Sequence, residues 1–313
     1  MLEKAANVIV NQCLSIKNYE KVLIITDKNK LKIANSILNE AKKITKHADL
    51  IEMPVAKFHG EEPPENISNK MQYYNVIIAP TTYSITHTRA VQQATKRDAR
   101  VATMPGITEE IMYESLMADY HKIKHLTEHV NRLIRNTKFI HVTSKNGTDL
   151  KFLIKRERNR LDTGLIYNNG QCGNLPAGEF FTAPLEGTAN GTLVIDLMQD
   201  GKEIYAKKGT KIIIKNSLAE KISDKNCLLA SYFSKIKNSK VVAEFGIGTN
   251  EKARLIGQIL QDEKVLGTCH IAFGNNTSMG GVNYSKVHMD AIVDKPTIHA
   301  DNEVIMKEGK LKV

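Results

Sequence analysis

Three stretches of the N-terminal third, residues 21–26 (KVLIIT), 74–79 (YNVIIA) and 99–103 (ARVAT), are apolar almost without interruption. A strand with one wet face alternates apolar and polar side chains; a short run that does not alternate is covered on both faces, as in a parallel sheet flanked by helices. The segments between the runs fit that arrangement. Ile33, Ile37, Ala41 and Ile44 fall on one face of a helix that Asp27 is placed to cap, residues 49–53 read as a further strand, and residues 2–16 as a helix preceding the first. A polar, Pro-rich turn around residues 61–64 precedes the third strand, and Pro105 and Gly106 end the fourth. Apolar positions at helical spacing from Ile111 to Ile134 predict one long helix or two stacked ones over 108–135, the connector to the second half of the chain.

Past residue 137 the texture changes to short β-rich runs broken by Gly and Asn, at 139–144, 149–155, 191–196, 211–215 and 241–245, with one further helix expected over 251–261 and capped by Asn250. A chain of 313 residues suits two domains of this kind. The expected fold is a parallel, Rossmann-like α/β domain over 1–136 followed by a β-rich α+β domain over 137–313.

The formal net charge of +10 raises the question of a polyanionic partner. Its lysines are scattered, with Lys42, Lys43 and Lys46 on one helix, Lys207, Lys208 and Lys211 on a hairpin, and Lys307, Lys310 and Lys312 at the tail. No aromatic pattern is interleaved with them, so a solvated surface accounts for the charge and no nucleic acid is expected. No apolar run approaches the roughly 20 residues of a membrane span, and the N-terminus lacks a secretory pattern. The four cysteines form no C-x-x-C pair, which favours reduced thiols and a cytoplasmic location.

The residues with chemistry to offer lie in the second half. In His288-Met289-Asp290, positions two apart on a strand face the same side, so His288 and Asp290 can meet one metal while Met289 packs behind them. Taken singly, this H-x-D is also what a surface histidine beside a solvated Asp looks like. His270 sits in residues 267–274 (GTCHIAFG), where alternation turns Cys269 to the opposite face; a core histidine bonded to a carbonyl is the plain alternative. Glu179 opens the apolar run 179–184 and Glu244 interrupts 241–246, positions where a carboxylate is costly to bury without a partner. Together the five suit a two-metal site with a bridging Glu. Gly246-Ile247-Gly248 lacks the third glycine of a dinucleotide fingerprint and reads as a turn, while Walker A and G-x-S-x-G motifs are absent. His87, after the third strand, is at the end of the sheet where open α/β folds present ligand groups, or else caps the next helix.

The ordered series of residues 174–184 (NLPAGEFFTAP), 243–250 (AEFGIGTN), 262–274 (DEKVLGTCHIAFG) and His288-Met289-Asp290 resembles the aminopeptidase T / aminopeptidase S family of metallopeptidases, and residues 104–107 (MPGI) of the first half are similar too. The resemblance implies that Glu179, Glu244, His270, His288 and Asp290 ligate two divalent ions, zinc or cobalt, that Glu179 or Glu244 shuttles a proton, and that a homodimeric metallo-aminopeptidase trims short peptides. Two departures stand out: the tyrosine expected seven residues after His270 is Thr277, with Tyr284 nearby but out of place, and the region before His288 is reduced. The fold is shared with dihydroxypyridine dioxygenases, which the chain also resembles as relatives; there one ferrous ion is held by two His and one Asp, here His270, His288 and Asp290, and that ring-cleaving activity is the alternative expectation.

Overall fold

A computed structural model describes residues 1–312, and the expected fold class is the one it has. The chain divides into two compact units. The first comprises Met1–Lys124, Thr163–Ala177 and Lys252–Arg254, and the second the remainder. The sequence reading draws a single cut at 136/137; the chain instead returns to the first unit twice.

In the first unit the non-alternating runs form a parallel sheet in the order Ala48–Met53, Val22–Asp27, Val76–Thr81, Arg100–Pro105, Cys172–Asn174. Val22–Asp27 and Val76–Thr81 are buried at every position, as uninterrupted apolar runs require. The fifth strand comes from residues that the sequence reading places in the other domain. Asp27 does not cap the following helix, Leu31–Lys42, which begins after Lys30. Its carboxylate instead accepts from the backbone N–H of Asn29 (3.0 Å) and from the N–H and hydroxyl of Thr82 (2.6 and 2.8 Å), tying two strand ends together. The connector is two helices, Glu109–Tyr113 and Tyr120–Ile134, separated by a short 3-10 turn.

The second unit is built on two sheets. One has eight antiparallel strands, ordered Leu218–Ile222, Lys211–Lys215, Asn190–Val194, Asp149–Leu153, Phe139–Thr143, Thr297–Ala300, Glu303–Lys307, Lys310–Leu311. The other has five, ordered His288–Asp294, Thr268–Gly274, Val242–Gly248, Glu179–Thr182, Arg160–Asp162. Alternate residues of both enter one core, where Ile140, Phe152 and Ile212 meet Phe245, Ile271 and Val293. The ring centroids of Phe152 and Phe245 lie 5.2 Å apart. Burial of this interior is the dominant favourable term, at about 25 cal/mol per Å² of apolar surface.

The helix expected over 251–261 is not formed: only Ile259–Asp262 is helical, and Asn250 pairs in a parallel bridge with Val265. Nor are Gly246 and Gly248 in a turn, since both lie within the Val242–Gly248 strand. No helix among the described residues is long and apolar enough to cross a membrane.

Candidate metal centre

The five-stranded sheet has two unlike faces. Directly opposed residues of neighbouring strands share a face and successive residues alternate. Phe180, Phe245, Ile247, Cys269, Ile271, Phe273, Met289, Ala291 and Val293 all point into the core. Their neighbours make up the other face. Glu179 is opposite Gly248 and Asp162, Gly246 opposite His270, Ala272 opposite both Glu244 and Asp290, and Gly274 opposite His288. All five residues singled out in the sequence are thus brought to one side of one sheet, spread over four strands.

One local irregularity makes this possible. Val242 is opposite Phe273 and lies in the core, so strict alternation would send Glu244 to the core as well. The register shifts between them: Ala243 is a bulge, and Glu244 emerges on the polar face opposite Ala272. The glycines supply room. A Cβ on Gly246 would lie 2.1 Å from the His270 imidazole, and one on Gly248 would lie 2.1 Å from the carbonyl oxygen of Val265.

Glu244 is the hub. Its Oε1 lies 3.1 Å from Nε2 of His270 and its Oε2 3.1 Å from Nε2 of His288. Asp290 Oδ1 is 3.3 Å from His288 Nε2, and Glu179 Oε2 is 3.5 Å from His270 Nε2. His288 Nδ1 faces the carbonyl oxygen of Asn275 at 2.8 Å. A carbonyl only accepts, so Nδ1 carries the proton and Nε2 is the nitrogen turned to the two carboxylates. A neutral Nε2 lone pair facing carboxylate oxygens is stable only with a proton or a cation between them.

The charges show the same convergence. Burial opposes protonation of His270, but the Glu244 hydrogen bond and the Glu179, Glu244 and Asp290 charges outweigh it and raise the imidazole to about 9. His288 is likewise raised, desolvation losing to Asp290 and Glu244. Burial would raise Glu244, yet the two imidazoles hold its carboxyl well below the usual range. Burial pushes Glu179 up to about 8, helped by Glu263 and Glu244 and resisted by Lys264 and His270.

Two overlapping groups can hold a cation, Glu179–Glu244–His270 and Glu244–His288–Asp290, each with ligand atoms within 4.8 Å of one another. Asp290 Oδ1 and Glu179 Oε2 are buried with no hydrogen-bond donor, which suits ligands to a positive ion. Facing donor atoms about 3 Å apart, imidazole and carboxylate mixed, fit a first-row divalent metal. The His288 side chain is 33% exposed while His270 is fully buried, so the approach from solvent is at the His288 end.

Sequence reasoning missed Lys264. This lysine is 1% exposed, and its Nζ lies 2.5 Å from Glu179 Oε1, 2.7 Å from Glu263 Oε1 and 3.5 Å from Asp162 Oδ2. Its burial leaves no trace in a segment reading DEKVLG, which resembles any charged turn. His87 and Tyr284 are in neither cation group. Thr88, not His87, caps the helix Arg89–Thr95, and Tyr284 is 67% exposed.

Residues 10–313 match the family described as NicX: 2,5-dihydroxypyridine 5,6-dioxygenase. No curated protein matches the sequence. Among solved structures, 2,5-dihydroxypyridine dioxygenase from Pseudomonas putida KT2440 is 16% identical with a TM-score of 0.83, the alignment covering 100% of this chain and 97% of that one. Wild-type AmpT from Thermus thermophilus is 15% identical with a TM-score of 0.73, covering 100% and 99%. At such identities the two structures attest the fold alone. The family match bears on function, and it overturns the expected metallo-aminopeptidase: peptide hydrolysis, protease chemistry and short peptides as substrates are set aside. The likeness to the aminopeptidases is one of fold.

Proposed function

This chain belongs to the NicX family, 2,5-dihydroxypyridine 5,6-dioxygenase, and from that premise we propose that it opens the ring of a dihydroxylated N-heterocycle with dioxygen, at a single ferrous ion held by His270, His288 and Asp290. The family match over residues 10–313 carries the reading. The site supports it, because two imidazoles and a carboxylate on one sheet face form the set that non-haem iron(II) oxygenases use. One ferrous ion replaces the expected zinc or cobalt pair.

Bound there, iron(II) would supply the one-electron chemistry with dioxygen that a closed-shell aromatic substrate lacks. The chain's own residues do the rest. Asn275 fixes the His288 ring through Nδ1. Glu244, reaching both imidazoles, is the carboxylate next to the metal ligands, and its Oε2 accepts a hydrogen bond from a substrate hydroxyl as the ring enters from the His288 end. The buried side of the site keeps water from Glu179 and His270. Cytoplasmic action as a homodimer belongs to the same proposal, and light scattering of the purified chain tests the assembly.

The direct test is anaerobic reconstitution with ferrous ion, followed by 2,5-dihydroxypyridine in aerated buffer. Loss of the ring's ultraviolet absorbance with matching oxygen uptake is expected. A folded, iron-loaded protein that consumes neither substrate nor oxygen overturns the reading.

A further inference from the structure

The two overlapping ligand groups leave a question that the ligands themselves do not answer, since a carboxylate shared between two triads is also the arrangement of a dinuclear centre. The buried lysine answers it. Glu179 belongs to only one of the triads, and its Oε1 is 2.5 Å from the Lys264 ammonium. We propose that Lys264 is a built-in counter-cation that takes the charge-balancing role of a second metal at Glu179 and so holds the centre to one divalent ion per chain. The inference rests on the single-metal reading above and names the residue that enforces it.

Backbone pairing fixes Lys264 in this position. Asn250, two residues past the end of the Glu244 strand, donates its backbone N–H to the Lys264 carbonyl (2.8 Å), and Leu266 donates back to the Asn250 carbonyl (3.1 Å). Gly248 lets this segment lie directly on the strand, because a Cβ would strike the Val265 carbonyl oxygen at 2.1 Å. Glu263 and Asp162 close the remaining sides of the ammonium. Without a positive charge, three carboxylates would share one buried pocket, an arrangement stable only with a cation among them. With the ammonium in place, a divalent ion entering the Glu179–Glu244–His270 group meets a like charge at one of its ligands. The other group, Glu244–His288–Asp290, does not include Glu179, the ligand that the ammonium holds. Lys264 is therefore a positioning and selectivity residue; at 1% exposure it does not touch substrate.

Metal stoichiometry tests this directly. The full-length chain, stripped with chelator, is dialysed anaerobically against excess ferrous or cobalt(II) ion and assayed by elemental analysis, with circular dichroism as the check on folding. Wild type and Lys264→Arg should bind about one ion per chain, and Lys264→Met about two, the second occupying Glu179. Lys264→Gln, which keeps a hydrogen-bond donor against Glu179 but no charge, gives the same comparison where the methionine variant does not fold, and is also expected to bind about two. Wild type binding two ions, or a folded neutral variant still saturating at one, overturns the proposal. Because no substrate is used, a correct stoichiometry shift with no ring opening would leave this inference standing while the functional reading falls.

Discussion

Gly246 and His270 face each other across two antiparallel strands so closely that a Cβ on the glycine would lie 2.1 Å from the imidazole Nε2. The missing side chain is what lets the ring lie flat over the strand, with Nε2 turned to Glu244. Gly246→Ala should therefore displace the imidazole and weaken metal binding by about 10–100-fold, the range seen when a ligand loses its support. An unchanged dissociation constant for cobalt(II) would show that the strand can shift to make room.

His288 stands at the open end of the site, held by the Asn275 carbonyl. Its removal opens no core cavity, so His288→Ala should fold normally while ring opening falls by more than about 100-fold, exceeding the loss from an outer partner alone. Metal content and substrate turnover, measured on the same preparation, check this. Retained activity with full metal would remove His288 from the ligand set.

Proton release reports on the imidazoles. In the metal-free protein His270 is raised to about 9 and His288 is raised too, so both carry protons at pH 7 that a divalent ion must displace. Calorimetry in two buffers of different ionisation enthalpy should find about two protons released per ion, with affinity falling as pH is lowered. The linked stability has a definite sign: a raised histidine stabilises fully below its unfolded value near 6.5 and loses that contribution as pH rises through about 9. Metal-free protein should accordingly lose melting temperature between pH 7 and 10. A flat profile falsifies the ion-paired description of His270.

In the first unit, Arg100 is held by both oxygens of Glu20 (2.7 and 2.8 Å) and by the carbonyl of Ile166 (3.1 Å), with the guanidinium almost wholly buried. Glu20→Ala strands that charge and should lower stability by about 3–5 kcal/mol in urea unfolding. Pairing it with Arg100→Met should recover most of the loss, and a single-variant effect below about 1 kcal/mol contradicts the assignment.

The centre is legible in the chain because its chemistry is written at period two. His288 and Asp290 share a face by spacing alone, and alternation separates His270 from Cys269, which is in the core. The same legibility invites the peptidase reading. Glu179, Glu244, His270, His288 and Asp290 suit a pair of metals as readily as one, and nothing in their spacing counts cations.

The layer plan is local information, carried by the chain itself. Runs such as 21–26 and 74–79 demand a sheet covered on both faces, and Gly-broken alternating runs demand a second, antiparallel region. Three other features exist only once distant segments meet. Cys172–Asn174 joins a sheet whose other strands all lie far earlier in the chain, because strand pairing is set by long-range backbone hydrogen bonds that leave no local mark. The bulge at Ala243 turns Glu244 out of the core, since a register shift depends on the opposing strand and not on the residues bearing it. Lys264 became part of the centre only when three carboxylates closed around it, and a buried ion pair is stable only where folding has already brought its partners together.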